Sequence, residues 1–106
     1  NYYLFNGNVD LRKGIFRLCE SIREEMSLDP SDASNVYMFM SRNRKVVKIL
    51  HYERGFYVLY EKRPVMGKFK KPVFDEVSKC YRIQWSDMAY LTESIVVDKM
   101  YVSPKD

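Results

Sequence analysis

The chain has 106 residues, enough for one domain spanning 1–106 that buries roughly two-thirds of the surface its unfolded chain exposes. Hydrophobic residues at 46% and aromatics at 15% exclude an intrinsically disordered composition, and no apolar run approaches the ~20 residues of a membrane span. The net charge of +4 is unevenly spread: between Arg42 and Lys71 ten basic residues face only Glu53 and Glu61, while the other 76 residues carry eight basic and twelve acidic groups. Segregation of this kind suits an anionic partner better than it suits a solubilising surface.

Along the chain, Tyr2, Tyr3, Leu4, Phe5 and Val9 suggest a short opening strand broken by Asn6-Gly7-Asn8. Ile15, Leu18, Cys19, Ile22 and Met26 then recur at spacings of three and four. That is one helical stripe, which leaves Arg17, Glu20, Arg23, Glu24 and Glu25 toward water. Asp10 is the expected cap or first-turn anion, and Pro30 the expected stop. The polar stretch Ser27 to Asn35 reads as a loop.

Three strands follow, over Val36–Ser41, Val46–Glu53 and Phe56–Lys62, each rich in Val, Ile, Tyr or Phe. Their links, Arg42–Lys45 and Arg54-Gly55, are short enough to require antiparallel hairpins. In the first link Asn43 is the residue expected to adopt the awkward backbone angles of the tip. Arg63 to Pro72 holds two prolines, a glycine and four cations and reads as a mobile loop or edge segment. Tyr81, Ile83 and Trp85 alternate as a strand, and Ser86 caps a last helix whose Met88, Leu91 and Ile95 share a face. The expected fold is α+β: an antiparallel β-meander of three central strands plus short flanking strands, packed with two amphipathic helices.

Catalytic and metal patterns are weak. Cys19, Cys80 and His51 are scattered too widely for a structural metal site, and the two cysteines read as buried small hydrophobes of a reducing compartment, here the cytoplasm. His51 sits inside a strand pattern with no serine or cysteine clearly paired to it, so nucleophilic catalysis has no support. Metal-dependent phosphodiester chemistry needs converging carboxylates, for which Asp10, Glu53 and Glu61 are the candidates. Ion pairs of Glu53 with Arg54 and of Glu61 with Lys62 account for two of them more simply. The four glycines at 7, 14, 55 and 67 stand singly, so no phosphate-cradling glycine loop is present and no cofactor is expected.

The basic region remains. Arg42, Arg44, Lys45 and Lys48 on the first hairpin, with Lys62, Arg63, Lys68, Lys70 and Lys71 nearby and Arg12 and Lys13 at the start of the first helix, are the expected phosphate contacts. Tyr52, Phe56, Tyr57, Tyr60 and Phe69 interleave with these cations; they read first as sheet core, and as base-stacking rings second.

Several blocks together resemble one family. These are Val9-Asp10-Leu11-Arg12-Lys13-Gly14, Val36-Tyr37-Met38-Phe39 running through Arg42-Asn43-Arg44-Lys45-Val46-Val47-Lys48-Ile49-Leu50, Gly55-Phe56 with Leu59-Tyr60 and Lys62-Arg63, and Gly67-Lys68-Phe69. In order and separation they are similar to the accessory protein encoded by the second reading frame of the insertion sequence 66 family of bacterial transposable elements. This is the TnpB-type accessory protein, unrelated to the RNA-guided nuclease that shares the label. The likeness spans about residues 2 to 95. Leu50-His51-Tyr52-Glu53 stands where tryptophans are usual, and Pro64-Val65 follows Lys62-Arg63 where Leu-Glu is typical. The resemblance implies a small protein that works beside a separate transposase, which carries the catalytic carboxylates. The leading expectation is therefore a non-catalytic accessory protein of DNA transposition that binds DNA at the element ends. The alternatives are a protein-interaction module docking on the transposase and a small metal-dependent nuclease.

Overall fold

The computed structural model describes residues 1–5, 10–12, 14–74 and 78–93 and the backbone of 95–96. In chain order the elements are β1 (Tyr2–Phe5), α1 (Ile15–Met26), β2 (Val36–Met40), β3 (Val47–Glu53), β4 (Phe56–Lys62), β5 (Lys68–Phe69), β6 (Cys80–Ile83), α2 (Trp85–Glu93) and β7 (Ile95–Val96). Five strands form one sheet in the order β4-β3-β2-β1-β6, and β5 pairs with β7 beside it.

The three-stranded meander is present: β2, β3 and β4 pair antiparallel in sequence order, with Phe39 opposite Lys48 and Lys48 opposite Glu61. β6 also runs antiparallel to β1. What the strand patterns did not reveal is the orientation of β1, which lies parallel to β2 with Phe5 opposite Phe39. Parallel neighbours cannot be joined by a tight turn, so the chain returns across one sheet face, and α1 is that return.

Both faces of the sheet are consequently covered. Leu18, Cys19 and Ile22 of α1 pack on Phe5, Tyr37, Phe39 and Leu50 on one side. On the other, Leu4, Met38 and Val47 meet Phe69 and, from α2, Met88 and Leu91. Burial on both faces explains why β2 reads Val-Tyr-Met-Phe-Met with no polar residue between its apolar ones. Exposed large apolar side chains remain, Phe16, Phe56, Tyr60, Trp85 and Tyr90 among them.

Local chemistry differs from expectation at Asp10 and at Trp85 with Ser86, while α1 ends before Pro30 as expected. Asp10 does not cap α1: the N-cap is Gly14, without a side-chain bond, and Asp10 instead receives the Arg12 backbone N–H at 3.0 Å and its guanidinium. α1 ends before Pro30, where Ser27 turns left-handed (φ 54°) and donates its N–H to the Arg23 carbonyl while Leu28 donates to Ile22. Trp85 is the first residue of α2 and not the last of a strand. Its helix is capped by Asp87 accepting the Gln84 N–H at 3.0 Å, not by Ser86, because a residue two places into a helix no longer stands at the cap. Arg63 to Pro72 takes the edge-segment alternative: it contains the two-residue β5, buries Phe69, and donates the Phe69 N–H to the Arg44 carbonyl at 2.8 Å.

Truncating Ile22 to alanine, at a position with no exposed surface, should cost about 2–5 kcal/mol, because the removed methyl groups leave a cavity between α1 and the sheet. Val65→Ala, at a fully exposed position, should stay within about 0.5 kcal/mol of the parent. Urea denaturation of the two variants checks the pair.

Candidate nucleic-acid interface

Strand direction decides which cations meet. Because β1 and β2 are parallel, the chain leaves both at the same end of the sheet; because β3 and β4 are antiparallel to their predecessors, β3 begins there and β4 finishes there, with Val47 opposite Lys62. Residues 10–12, the 41–46 turn, Lys48 and Arg63 thus converge. Between them lies a cleft of about 560 Å³ lined by Asp10, Leu11, Arg12, Ser41, Arg42, Asn43, Val46, Lys48 and Arg63.

The turn is held by short polar side chains. The Ser41 hydroxyl oxygen accepts the backbone N–H groups of Lys45 (3.1 Å) and Val46 (3.0 Å), and the Asn43 Oδ1 accepts the Lys45 N–H (3.0 Å) and the Ser41 hydroxyl (2.8 Å). Asn43 therefore contributes an acceptor, and the left-handed position falls to Arg44 (φ 59°), contrary to the expectation that the asparagine would take it. A side chain bonding two residues ahead leaves Asn43 with ordinary angles and moves the reversal one residue on. At the other end of the sheet both residues of the Arg54-Gly55 turn have positive φ (48° and 87°), the geometry that matches the twist of a two-residue hairpin.

The floor of the cleft is Lys48. Its side chain is 11% exposed, and its ammonium donates to the Leu11 carbonyl and lies 3.5 Å from a Glu61 carboxylate oxygen. Glu61 also accepts the Arg63 Nε–H at 2.8 Å. At the rim, Arg12 grips Asp10 with two nitrogens, at 3.1 and 3.2 Å, which raises its already high pKa. The hydrogen bond from Arg63, with the charges of Arg63 and Lys48, lowers the pKa of Glu61 below its ordinary 4.5. The expected pairs Glu53–Arg54 and Glu61–Lys62 do not form. Successive residues of a strand point to opposite faces, so each carboxylate pairs two places away: Glu61 with Arg63, and Glu53 with His51 at 3.2 Å.

The expected phosphate contacts therefore divide. Arg12, Arg42, Lys48 and Arg63 share the cleft, and Arg44 and Lys45 stand on the turn beside it. Lys62 and Lys70 turn to α2, where the Lys62 ammonium is 2.7 Å from Glu93 and that of Lys70 is 3.0 Å from the Tyr90 hydroxyl. Lys68 belongs to β5 and Lys71 is exposed just beyond it; Lys13 lies outside the described residues. Of the interleaved aromatics Phe69 is core, Tyr52 and Tyr57 are half-buried, and Phe56 and Tyr60 are exposed. Asp10 and Glu61, which reasoning from sequence treated as nuclease candidates or incidental ion pairs, orient the cations of the cleft. The available signal was the i, i+2 spacing of Asp10-Arg12 and Glu61-Arg63.

Asp10, Glu53 and Glu61 do not converge. Glu53 is five residues along the ladder from the Lys48–Glu61 pair, roughly 16 Å at 3.3 Å per residue. Among the described residues no group of three His, Cys, Asp or Glu side chains is placed to hold a metal ion, and no helix is long and apolar enough to cross a membrane. Cys19 and Cys80 are free and buried, and burial pushes the Cys80 thiol up to about 11, so it stays protonated at neutral pH.

The family model described as IS66 Orf2 like protein matches residues 1–101. The chain belongs to the IS66 Orf2-like family. As an IS66 Orf2-like protein it is a transposition-associated accessory protein of an insertion sequence, and the resemblance in the turn and hairpin blocks falls on the segments that build the cleft. No curated protein and no solved structure matches the chain.

Because the folded state lowers the Glu61 pKa, this carboxylate stabilises the fold above its ordinary 4.5, and that contribution is lost as pH falls through the depressed folded value. Glu61→Gln should therefore lower the urea midpoint at pH 6 and lose less than the parent between pH 6 and pH 3. Asp29 and Asp32, whose pKa values are also lowered, are common to both proteins and cancel in the comparison.

Proposed function

We propose that this accessory protein binds DNA at the element ends through the phosphate backbone and acts beside a separate transposase without catalysing strand chemistry itself. The observation that carries the reading is the gathering of Arg12, Arg42, Lys48 and Arg63 from three separated chain segments into one cleft, with Arg44 and Lys45 on the adjoining turn. Phe69 ties the second basic segment to the same turn through the Arg44 carbonyl. Arginine dominates this group, and its planar fork suits phosphate oxygens better than a point charge does.

Contact of this kind is electrostatic, and with six phosphates engaged log affinity should fall against log salt with a slope of about −5. Replacing Arg42, Arg44 and Lys45 together by alanine should flatten that slope by about 3, measured on element-end duplex across a salt series; an unchanged slope removes the assignment.

A second reading, docking on the transposase without DNA contact, draws on the exposed Phe16, Phe56, Tyr60, Trp85 and Tyr90. Co-purification with the transposase in high salt after nuclease treatment, with no salt-dependent DNA binding by the isolated chain, would favour it over the first.

A further inference from the structure

We infer that the cleft between residues 10–12, the 41–46 turn and Arg63 is a receptor for a terminal phosphate monoester on a nucleic-acid strand, with Lys48 as its innermost donor. The inference rests on the DNA-binding reading above and goes beyond it, since it separates a cut strand from an intact one.

Depth is the first argument. The cations of the cleft are graded in exposure, from 92% for the Arg12 side chain and 63% for Arg63 down to 11% for Lys48. The backbone of an intact duplex is a continuous ridge that positions itself on rim cations. It has no projecting group to reach a recessed ammonium, whereas a strand terminus has one. Lys48 is also set up to receive such a group. An ammonium has three hydrogens; the Leu11 carbonyl takes one and the Glu61 carboxylate 3.5 Å away holds the nitrogen by charge, so the ammonium retains donor capacity for a ligand oxygen. Glu61 occupies the Nε–H of Arg63, and the guanidinium has two further nitrogens to offer.

Charge is the second argument. Four cations line the cleft, against Asp10 in its wall and Glu61 behind it, so among these described residues positive charge exceeds negative by two. A phosphate monoester carries about −1.5 to −2 at pH 7, where an internal diester carries one negative charge, so the monoester is the closer match. No lining residue is aromatic, and the apolar contributions are Leu11 and Val46, so the cleft offers donors for a phosphate and no platform for a base. Hydrolysis of a phosphodiester leaves a monoester on one of the two new ends. The cleft therefore fits the product of strand cleavage.

The test measures binding of one short single strand in three forms, with a 5′-phosphate, with a 3′-phosphate and with neither, together with an unphosphorylated duplex. The expected result at pH 7.5 is at least tenfold tighter binding of one phosphorylated form. That preference should shrink at pH 5.0, because the monoester loses its second charge near pH 6; the charged groups facing it are Asp10, Arg12, Arg42, Lys48, Glu61 and Arg63. Lys48→Met should erase the preference, while duplex binding weakens by no more than the loss of one phosphate contact. Since that change also removes a buried partner of Leu11 and Glu61, Arg63→Ala at the exposed rim serves as the second variant and should reduce the preference several-fold. Equal affinity for all three strands overturns the inference while leaving backbone binding intact if the duplex still binds with its salt slope. Displacement of the phosphorylated strand by inorganic phosphate at equal concentration would also overturn it, assigning the cleft to a free anion. Absence of binding to every DNA defeats this inference and the DNA reading together.

Discussion

The parallel pairing of β1 with β2 is the constraint from which the rest of the molecule follows. A parallel neighbour obliges the chain to cross the sheet between Phe5 and Val36, and the apolar stripe of α1 makes that crossing a covering layer for one face. The same pairing sends the chain out of β1 at the end of the sheet where β2 folds back into β3. Had β1 run antiparallel to β2, Asp10, Leu11 and Arg12 would have emerged at the Arg54-Gly55 end, and no wall would face the 41–46 turn. Clefts in sheets of this kind open where parallel strands end, for this geometric reason.

Electrostatics then refines what topology assembles. Two carboxylates stand among the cations of the cleft, and their exposed pairs, Asp10 with Arg12 and Glu61 with Arg63, add little to the stability of the fold. Their effect is orientation. Asp10 holds both its own backbone turn and the Arg12 fork, and Glu61 draws Lys48 and Arg63 to one place. The arrangement also explains how a lysine comes to be nine-tenths buried in a small domain: its stem lies on the α1 face beside Phe39, and its charge is met by a carbonyl and a carboxylate.

Much of the secondary structure was legible in residue order. The α1 stripe, the two hairpins and their boundaries follow from helical and alternating periodicity, and the Arg54-Gly55 link announced its turn. Errors gathered where a side chain competes with the backbone for hydrogen bonds. Asp10, Asn43 and Asp87 each bond a neighbouring N–H in a way that composition cannot assign to one residue over the next. The carboxylate partners differ from expectation for a simpler reason, that adjacency along a strand is opposition across it.

Residue order by itself determined an α+β chain with a basic hairpin, a family likeness carried by that hairpin and its flanks, and the proximity of residues 42–46 to Arg63, because an antiparallel hairpin leaves no other register for them. Tertiary structure decided the rest. It brought Arg12 to Arg42 and Lys48, turned Lys62 and Lys70 away toward α2, and buried the Lys48 ammonium at the foot of a cleft. Those outcomes depend on which strand lies beside which and in what direction. Strand order is a property of long-range packing between β1 and β2, more than thirty residues apart, and local periodicity carries no record of it.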